Sequence, residues 1–450
     1  MAGVIVLGFG GELFFKRTGI PSFLFLIFVG ILLGPVLKVV SGLQLVPVLG
    51  VIATLTLIMV IFYSGMDLHV RTVFSESGRI FLQVVLYVIP STFAIGFVTS
   101  YLFHWDLIQS LILGSIVGGE TTAAVVVPLS RGLHLNDSTV TFVSLESVLN
   151  SVFSVVLFTT FVGAYQSANP SIAGALSTIA SNFSVGIVSG AVLSLAWLFV
   201  LQRLKENKYT YVFTMGLVFA TYSISSALGG SGILSTLVFG IMLGSYKLLN
   251  SLFEKRPFDM DPLQRQLGTF QGEISFLLET FFFVFLGLTF SIDPTRVLSY
   301  LEDGVLLLTI LLAFRTLAAT VSTRKSPMAS SRSVIVLMCA QGLTPATLAI
   351  IAVNDNLPLA PIFLNIVTYV IILTNIVTTV GSFWVARKGR GKTSLVQTEP
   401  QPSSTLFAFE GCRPGLFQLS AARGYACELA DEGDENCSYC TRRGYEEPTF

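Results

Sequence analysis

The chain has 450 residues, 53% of them hydrophobic and only 12% charged, with 26 basic side chains balancing 26 acidic ones. Soluble domains carry roughly 25% charged residues, so this composition cannot cover the surface of a water-soluble protein of such length. It excludes a nucleic-acid binder, a secreted disulfide scaffold and a soluble enzyme, and it points to an all-α polytopic membrane protein.

A bilayer core of roughly 30 Å needs about 20 apolar residues per helix. On that criterion thirteen spans are expected, near 3–15, 20–37, 46–66, 79–103, 107–130, 139–165, 174–201, 209–227, 231–247, 273–291, 302–322, 332–353 and 360–386. The first is short, reaching only about 20 Å at about 1.5 Å per residue, and nothing basic precedes it as a signal peptide would require. Nineteen basic residues lie in loops after odd-numbered spans or at the start of the tail, against Lys38 and Arg296 after even-numbered ones. By the positive-inside rule, the N-terminus faces out and the C-terminus faces the cytoplasm of a multi-pass cell-membrane protein. Residues 247–271 mix charges with Leu252, Phe253, Phe258 and Leu267, the pattern of a cytoplasmic helix in the interface or of a covered connector.

Composition then changes. A membrane domain, 1–392, gives way to an acidic, cysteine-containing cytoplasmic tail, 393–450. Residues 1–395 hold 22 basic and 17 acidic groups and residues 396–450 hold 4 and 9, so the zero net charge is a cancellation of unlike parts. Cys437 and Cys440 have zinc-knuckle spacing, a candidate metal site in the tail.

Charges inside spans carry the functional argument, because each costs roughly 2.5–3.5 kcal/mol at mid-bilayer. Six qualify: Glu12, Glu120, Glu146, Glu273, Glu279 and Arg315. Glu12 and Glu273 fall near span ends, which leaves Glu120, Glu146, Glu279 and Arg315 as the deep set. In span six, spacing of four aligns Glu146 with Asn150, and Ser147 with Ser151, while Ser154 continues the stripe. Such hard oxygen ligands suit small cations. Glu120 follows Gly118 and Gly119 and precedes Thr121 and Thr122, poor material for a continuous helix. Span twelve carries a matching interruption, Gln341-Gly342-Leu343-Thr344-Pro345. Paired breaks in two halves of a chain, as in inverted repeats, are the best sequence pointer to a transporter site at the midplane, where unwound carbonyls help hold an ion. Arg315 requires a buried anion, and Glu146 and Glu279 are the available partners. Gly229-Gly230-Ser231-Gly232 has the form of an intramembrane serine protease motif, but His69, His104 and His134 all fall at span ends or in loops, so a flexible turn is the better reading.

Taken in order, several motifs resemble the monovalent cation/proton antiporter superfamily, and most of all its NhaP-like sodium/proton exchangers of prokaryotic, archaeal type. They are Gly30-Ile31-Leu32-Leu33-Gly34-Pro35, Phe62-Tyr63-Ser64-Gly65-Met66-Asp67, Glu146-Ser147 through Asn150, Phe281 through Leu288, and Gly342-Leu343-Thr344-Pro345. The resemblance covers about residues 3–390. It implies a homodimer in membrane lipid, with a core bundle of crossed, unwound spans five and twelve moving against a scaffold. It further implies that Arg315 pairs with Glu146, and that Thr121 and Ser151 stand where the family carries its two ion-binding aspartates. Glu120 is then the expected proton- and cation-binding carboxylate, with Thr121, Ser147, Asn150 and Ser151 as neutral oxygen ligands and Glu146 held by Arg315. The implied activity is electroneutral exchange of Na⁺ or K⁺ for H⁺ without a cofactor. Transport of another solute on the same fold, or a transport-inactive sensor, are the alternatives.

Overall fold

Without water in the hydrocarbon, an apolar chain must close its backbone hydrogen bonds internally, and for these segments that means helices. The computed structural model describes residues 2–390 except 19, 39–45, 69, 134, 168–170, 202–208, 247–260, 291–295 and 325. The helices are α1 (Ala2–Thr18), α2 (Ser22–Ile31), α3 (Val46–Asp67), α4 (Val70–Phe103), α5 (Leu107–Val117), α6 (Ala123–Gly132), α7 (Asp137–Gln166), α8 (Ile172–Leu201), α9 (Thr210–Ala227), α10 (Gly232–Gly244), α11 (Asp261–Thr289), α12 (Val297–Ser322), α13 (Arg332–Leu337), α14 (Leu343–Asn354) and α15 (Ala360–Arg390). No strand occurs among the described residues.

Seven of these (α3, α4, α7, α8, α11, α12 and α15) contain stretches long and apolar enough to cross a membrane alone, and six shorter apolar helical segments accompany them. The fifteen described helices reduce to the expected thirteen spans only if α5–α6 and α13–α14 each count as one interrupted crossing; α6 and α9 are in neither apolar group. Several boundaries differ from expectation, among them those of α1, α4 and α11. α1 runs over 17 residues rather than 13. α4 begins at Val70, nine residues before the expected start. Residues 261–271 continue unbroken into span ten as α11 instead of forming a separate interfacial helix, and 247–260 lie outside the described residues. The tail, with Cys437 and Cys440, lies outside them too.

Two groups of helices are apparent from their packing. α1, α2, α3, α8, α9, α10 and α11 contact one another, and α4, α5, α6, α7, α12, α13 and α14 form the second group, joined to the first through α3 and α7. In the first group close approach depends on glycine. A Cβ on Gly287 of α11 would strike the Ile27 carbonyl and come within 2.8 Å of Gly30 Cα on α2. After Gly30 the α2 helix widens into a π-helical turn, Leu32–Val36. Pro35 has no N–H for the regular ladder, and Leu37 N reaches back to Leu32 O at 2.9 Å. α10 meets α3 in the same way, since a Cβ on Gly65 would sit 2.7 Å from Leu237 O. Gly30, Gly34, Gly65 and Gly287, all within the motifs quoted above, are therefore packing positions.

Replacing Gly287 with Val should force α2 and α11 apart at a cost of roughly 1–3 kcal/mol. Thermal unfolding of the purified chain in detergent should show a lower Tm than wild type, and an unchanged Tm would argue against this helix contact.

Candidate functional site

The second group is organised by two interruptions. α5 stops at Val117 because Gly118 turns extended (φ −71°, ψ 97°) after its N–H bonds Gly114 O. Gly119 follows at φ +81°, a conformation costly for any side chain with a Cβ. A Cβ there would also lie 2.7 Å from Val88 Cα. Glu120, Thr121 and Thr122 complete the break before α6. In the other half, α13 ends at Leu337, and α14 restarts at Leu343 after Gly342. The break is therefore Met338–Gly342, one turn earlier than the sequence suggested. Thr344 and Pro345 belong to the first helical turn of α14, where proline's missing N–H would lack an intrahelical partner anyway.

The two breaks touch. Thr122 N donates to Ala340 O at 2.7 Å, and Gln341 Nε2 donates to Val117 O at 2.6 Å. Around this crossing, α7 presents its polar stripe. Ser147 Oγ donates to Thr121 O at 2.8 Å, and Asn150 Nδ2 donates to Thr121 Oγ1 at 3.1 Å. Ser151 Oγ lies 3.4 Å from Glu120 Oε1 and 3.2 Å from Ser147 O, sharing its one proton between them, and accepts from Thr344 Oγ1 at 3.1 Å. The Gly342 amide and the Thr344 hydroxyl lie against the same Glu120 carboxyl. Glu120, Thr121, Ser147, Asn150, Ser151 and Thr344 are all buried. The N-terminal ends of α6 and α14 border this spot, and such ends favour negative charge.

Three side-chain acceptors here have no donor among the described residues: Glu120 Oε2, Asn150 Oδ1 and Gln341 Oε1. The orientation of the Asn150 amide follows from chemistry. Its nitrogen faces Thr121 Oγ1 and the Glu146 carboxylate, which accepts only, so its oxygen must point the other way. Buried oxygens without donors are costly unless a cation or a proton meets them.

Glu146 is held differently. Arg315 Nη1 lies 2.8 Å from Glu146 Oε1 and Nη2 lies 3.4 Å from Oε2. Arg315 Nε donates to Ile335 O at 2.9 Å, and its guanidinium stands 5.0 Å from the Tyr87 ring centre. Gln83 Nε2 adds a donor to Glu146 Oε1 at 3.3 Å, and Gln83 Oε1 accepts from Ser322 Oγ at 2.7 Å. The pair is fully enclosed, with side chains 1% and 0% exposed. Glu279 lies on α11 in the other helix group, and Glu273 is exposed in the middle of that helix.

The structure thus brings Glu120, Thr121, Ser147, Asn150 and Ser151 together, and seats Arg315 on Glu146. Sequence reasoning missed Gln83 and Tyr87 on α4, and Thr374, Asn375 and Thr378 on α15. The signal for the amides was present, because Gln83 and Asn375 are isolated amides inside apolar spans. Ser231, in the glycine-rich turn, caps α10 by accepting from Leu234 N at 3.2 Å.

Residues 3–388 match the family described as "Sodium/hydrogen exchanger, transmembrane". The K(+)/H(+) antiporter NhaP2 of Shewanella sp. (strain ANA-3) is 28% identical over 295 residues, covering 63% of this chain and 47% of the relative. The Na(+)/H(+) antiporter ApNhaP of Aphanothece halophytica is 25% identical over 256 residues, covering 56% of this chain and 46% of the relative. This chain spans about half the length of these relatives. The fold is similar to that of the sodium proton antiporter MjNhaP1 from Methanocaldococcus jannaschii at pH 8, with a TM-score of 0.69 at 18% identity, over 86% of this chain and 96% of that one.

Removing one member of the buried ion pair strands the other, at a cost of roughly 3–5 kcal/mol. Arg315→Leu and Glu146→Leu should each lower the Tm of the purified chain sharply, and the double variant should recover most of the loss. Losses that simply add would mean the two residues do not act as a pair.

Proposed function

The chain belongs to the sodium/hydrogen exchanger family, and from that premise we propose that it exchanges a monovalent cation, Na⁺ or K⁺, for H⁺ at one site centred on Glu120. The observation that carries this reading is the meeting of Glu120 with Ser151. The resemblance puts an ion-binding aspartate at position 151, and here that position is a serine. The carboxyl arrives instead from position 120, on the break, with one more methylene of reach. The Glu120 carboxyl thus stands beside the position to which the resemblance assigns the aspartate.

Exchange through one site requires a group that holds a proton or a cation, but not both. The Glu120 carboxyl takes that role. When it is ionised, its Oε2 and the Asn150 oxygen receive the cation, with the Ser151, Thr344 and Thr121 hydroxyl oxygens as neutral ligands. When it is protonated, the attraction for the cation is lost and the site carries no net charge. Glu146 stays paired with Arg315 in both states and keeps the α7 stripe in register. One titrating carboxylate per site gives one proton for one cation, which is electroneutral. The basic surplus in loops after odd-numbered spans supports an N-out, C-in topology in the cell membrane, and the resemblance supports a homodimer.

Reconstitution into proteoliposomes tests the assignment. Addition of Na⁺, Li⁺ or K⁺ should collapse an imposed pH gradient for wild type, and Glu120→Gln should abolish the response to every cation. Undiminished exchange in Glu120→Gln would sink the assignment. Combining Glu120→Gln with Ser151→Asp returns a carboxylate to the site and should restore exchange in part, whereas combining Glu120→Gln with Ser154→Asp should not.

A second reading concerns the cargo. With both aspartates replaced by hydroxyl residues, the site is rich in neutral oxygens, which weakens the demand for a small, strongly hydrated ion. Faster exchange with K⁺ than with Na⁺ or Li⁺ in the same assay would favour it.

A further inference from the structure

An unwound segment buried in a membrane leaves backbone groups that only protein can satisfy. In the Met338–Gly342 break that task falls to α15. Thr378 Oγ1 accepts from Cys339 N at 3.2 Å, and Thr374 Oγ1 accepts from Gln341 N at 3.2 Å. Asn375 Nδ2 donates to Gln341 O at 2.7 Å while also bonding Ile371 O at 2.7 Å on its own helix. Both partners of that amide are carbonyls, which only accept, so the amide orientation is not arbitrary. Thr374, Asn375, Thr378 and Gln341 are all completely buried.

The consequence concerns which oxygens a cation can meet. Broken helices commonly offer unwound carbonyls to an ion. Here four carbonyls of the crossing already accept hydrogen bonds: Val117 O from Gln341 Nε2, Thr121 O from Ser147 Oγ, Ala340 O from Thr122 N, and Gln341 O from Asn375 Nδ2. Among the buried side-chain oxygens of the described residues, Glu120 Oε2, Asn150 Oδ1, Gln341 Oε1 and Asn375 Oδ1 at this crossing have no donor.

We infer that Asn375 is a specificity-determining positioning residue, which holds the Gln341 carbonyl towards α15 and so withholds that oxygen from a cation at Glu120. This rests on the exchange reading above. Carbonyl-rich surroundings suit a larger, more easily dehydrated cation. Freeing Gln341 O should therefore shift preference toward K⁺, without touching a group that holds the proton.

The test is the ratio of KM for K⁺ to KM for Na⁺, measured by pH-gradient collapse in proteoliposomes holding the full chain. Asn375→Leu removes the donor, and the ratio should fall about fivefold or more relative to wild type with kcat changed much less. Thr374→Val is the control, because it loosens the same break without releasing the Gln341 carbonyl, and its ratio should match wild type. An unchanged ratio in Asn375→Leu, or an equal shift in Thr374→Val, would overturn the inference. Should the leucine variant not be recovered, Asn375→Ala carries the same expectation. Thermal stabilisation of the detergent-purified variants by Na⁺ against K⁺ gives the same ratio without transport. A wild type that exchanges neither ion while Asn375→Leu still shifts this binding ratio would count against the exchange reading alone.

Discussion

The structure depends on one constraint: backbone N–H and C=O groups of two interrupted helices must find partners where no water reaches them. Each break is satisfied by the other and by neighbouring side chains. Thr122 pairs with Ala340, Gln341 with Val117, Ser147 with Thr121, and α15 meets three further backbone groups through Thr374, Asn375 and Thr378. Because the donors and acceptors of the break are committed in this way, the crossing has few arrangements open to it. The polar side chains it leaves over are the ones that define the site.

Charge is partitioned by the same logic. Two buried carboxyls stand close to one another in the second helix group, and their surroundings differ in kind. Glu146 is compensated by Arg315, supported by Gln83, and backed by a cation–π contact to Tyr87. Glu120 receives hydroxyl and amide neighbours but no cationic side chain, and one of its oxygens has no donor among the described residues. Two acids of the same type therefore do different work: one locks α7 to α12, and the other is left to meet a mobile charge. This division follows from where Arg315 lies.

The first helix group holds no part of this machinery, yet it carries several of the motifs by which the family is recognised. Gly30 and Gly287 bring α2 and α11 within contact of their backbones, and Gly65 does the same for α3 and α10. Glycine patterns at such spacing mark close helix approach in membranes, so these motifs record packing, while the motifs on α7 and at the breaks record chemistry. A tight first group gives the second a firm surface to rest on through α3 and α7.

Much was legible from sequence alone. Apolar length and the scarcity of charge determined a polytopic helical membrane protein. The glycines at 118 and 119 announced a break, and the cost of burying charge singled out Glu120, Glu146 and Arg315. The tertiary structure decided the rest. It moved the second break to Met338–Gly342, chose Glu146 over Glu279 as the partner of Arg315, brought Glu120 beside Ser151, and recruited Gln83 and Asn375 from spans that read as merely apolar. Composition and periodicity report how one segment meets its solvent. Which side chain satisfies which buried group, across 63 residues from Gln83 to Glu146 or 169 from Glu146 to Arg315, is set only when distant segments pack and water is gone.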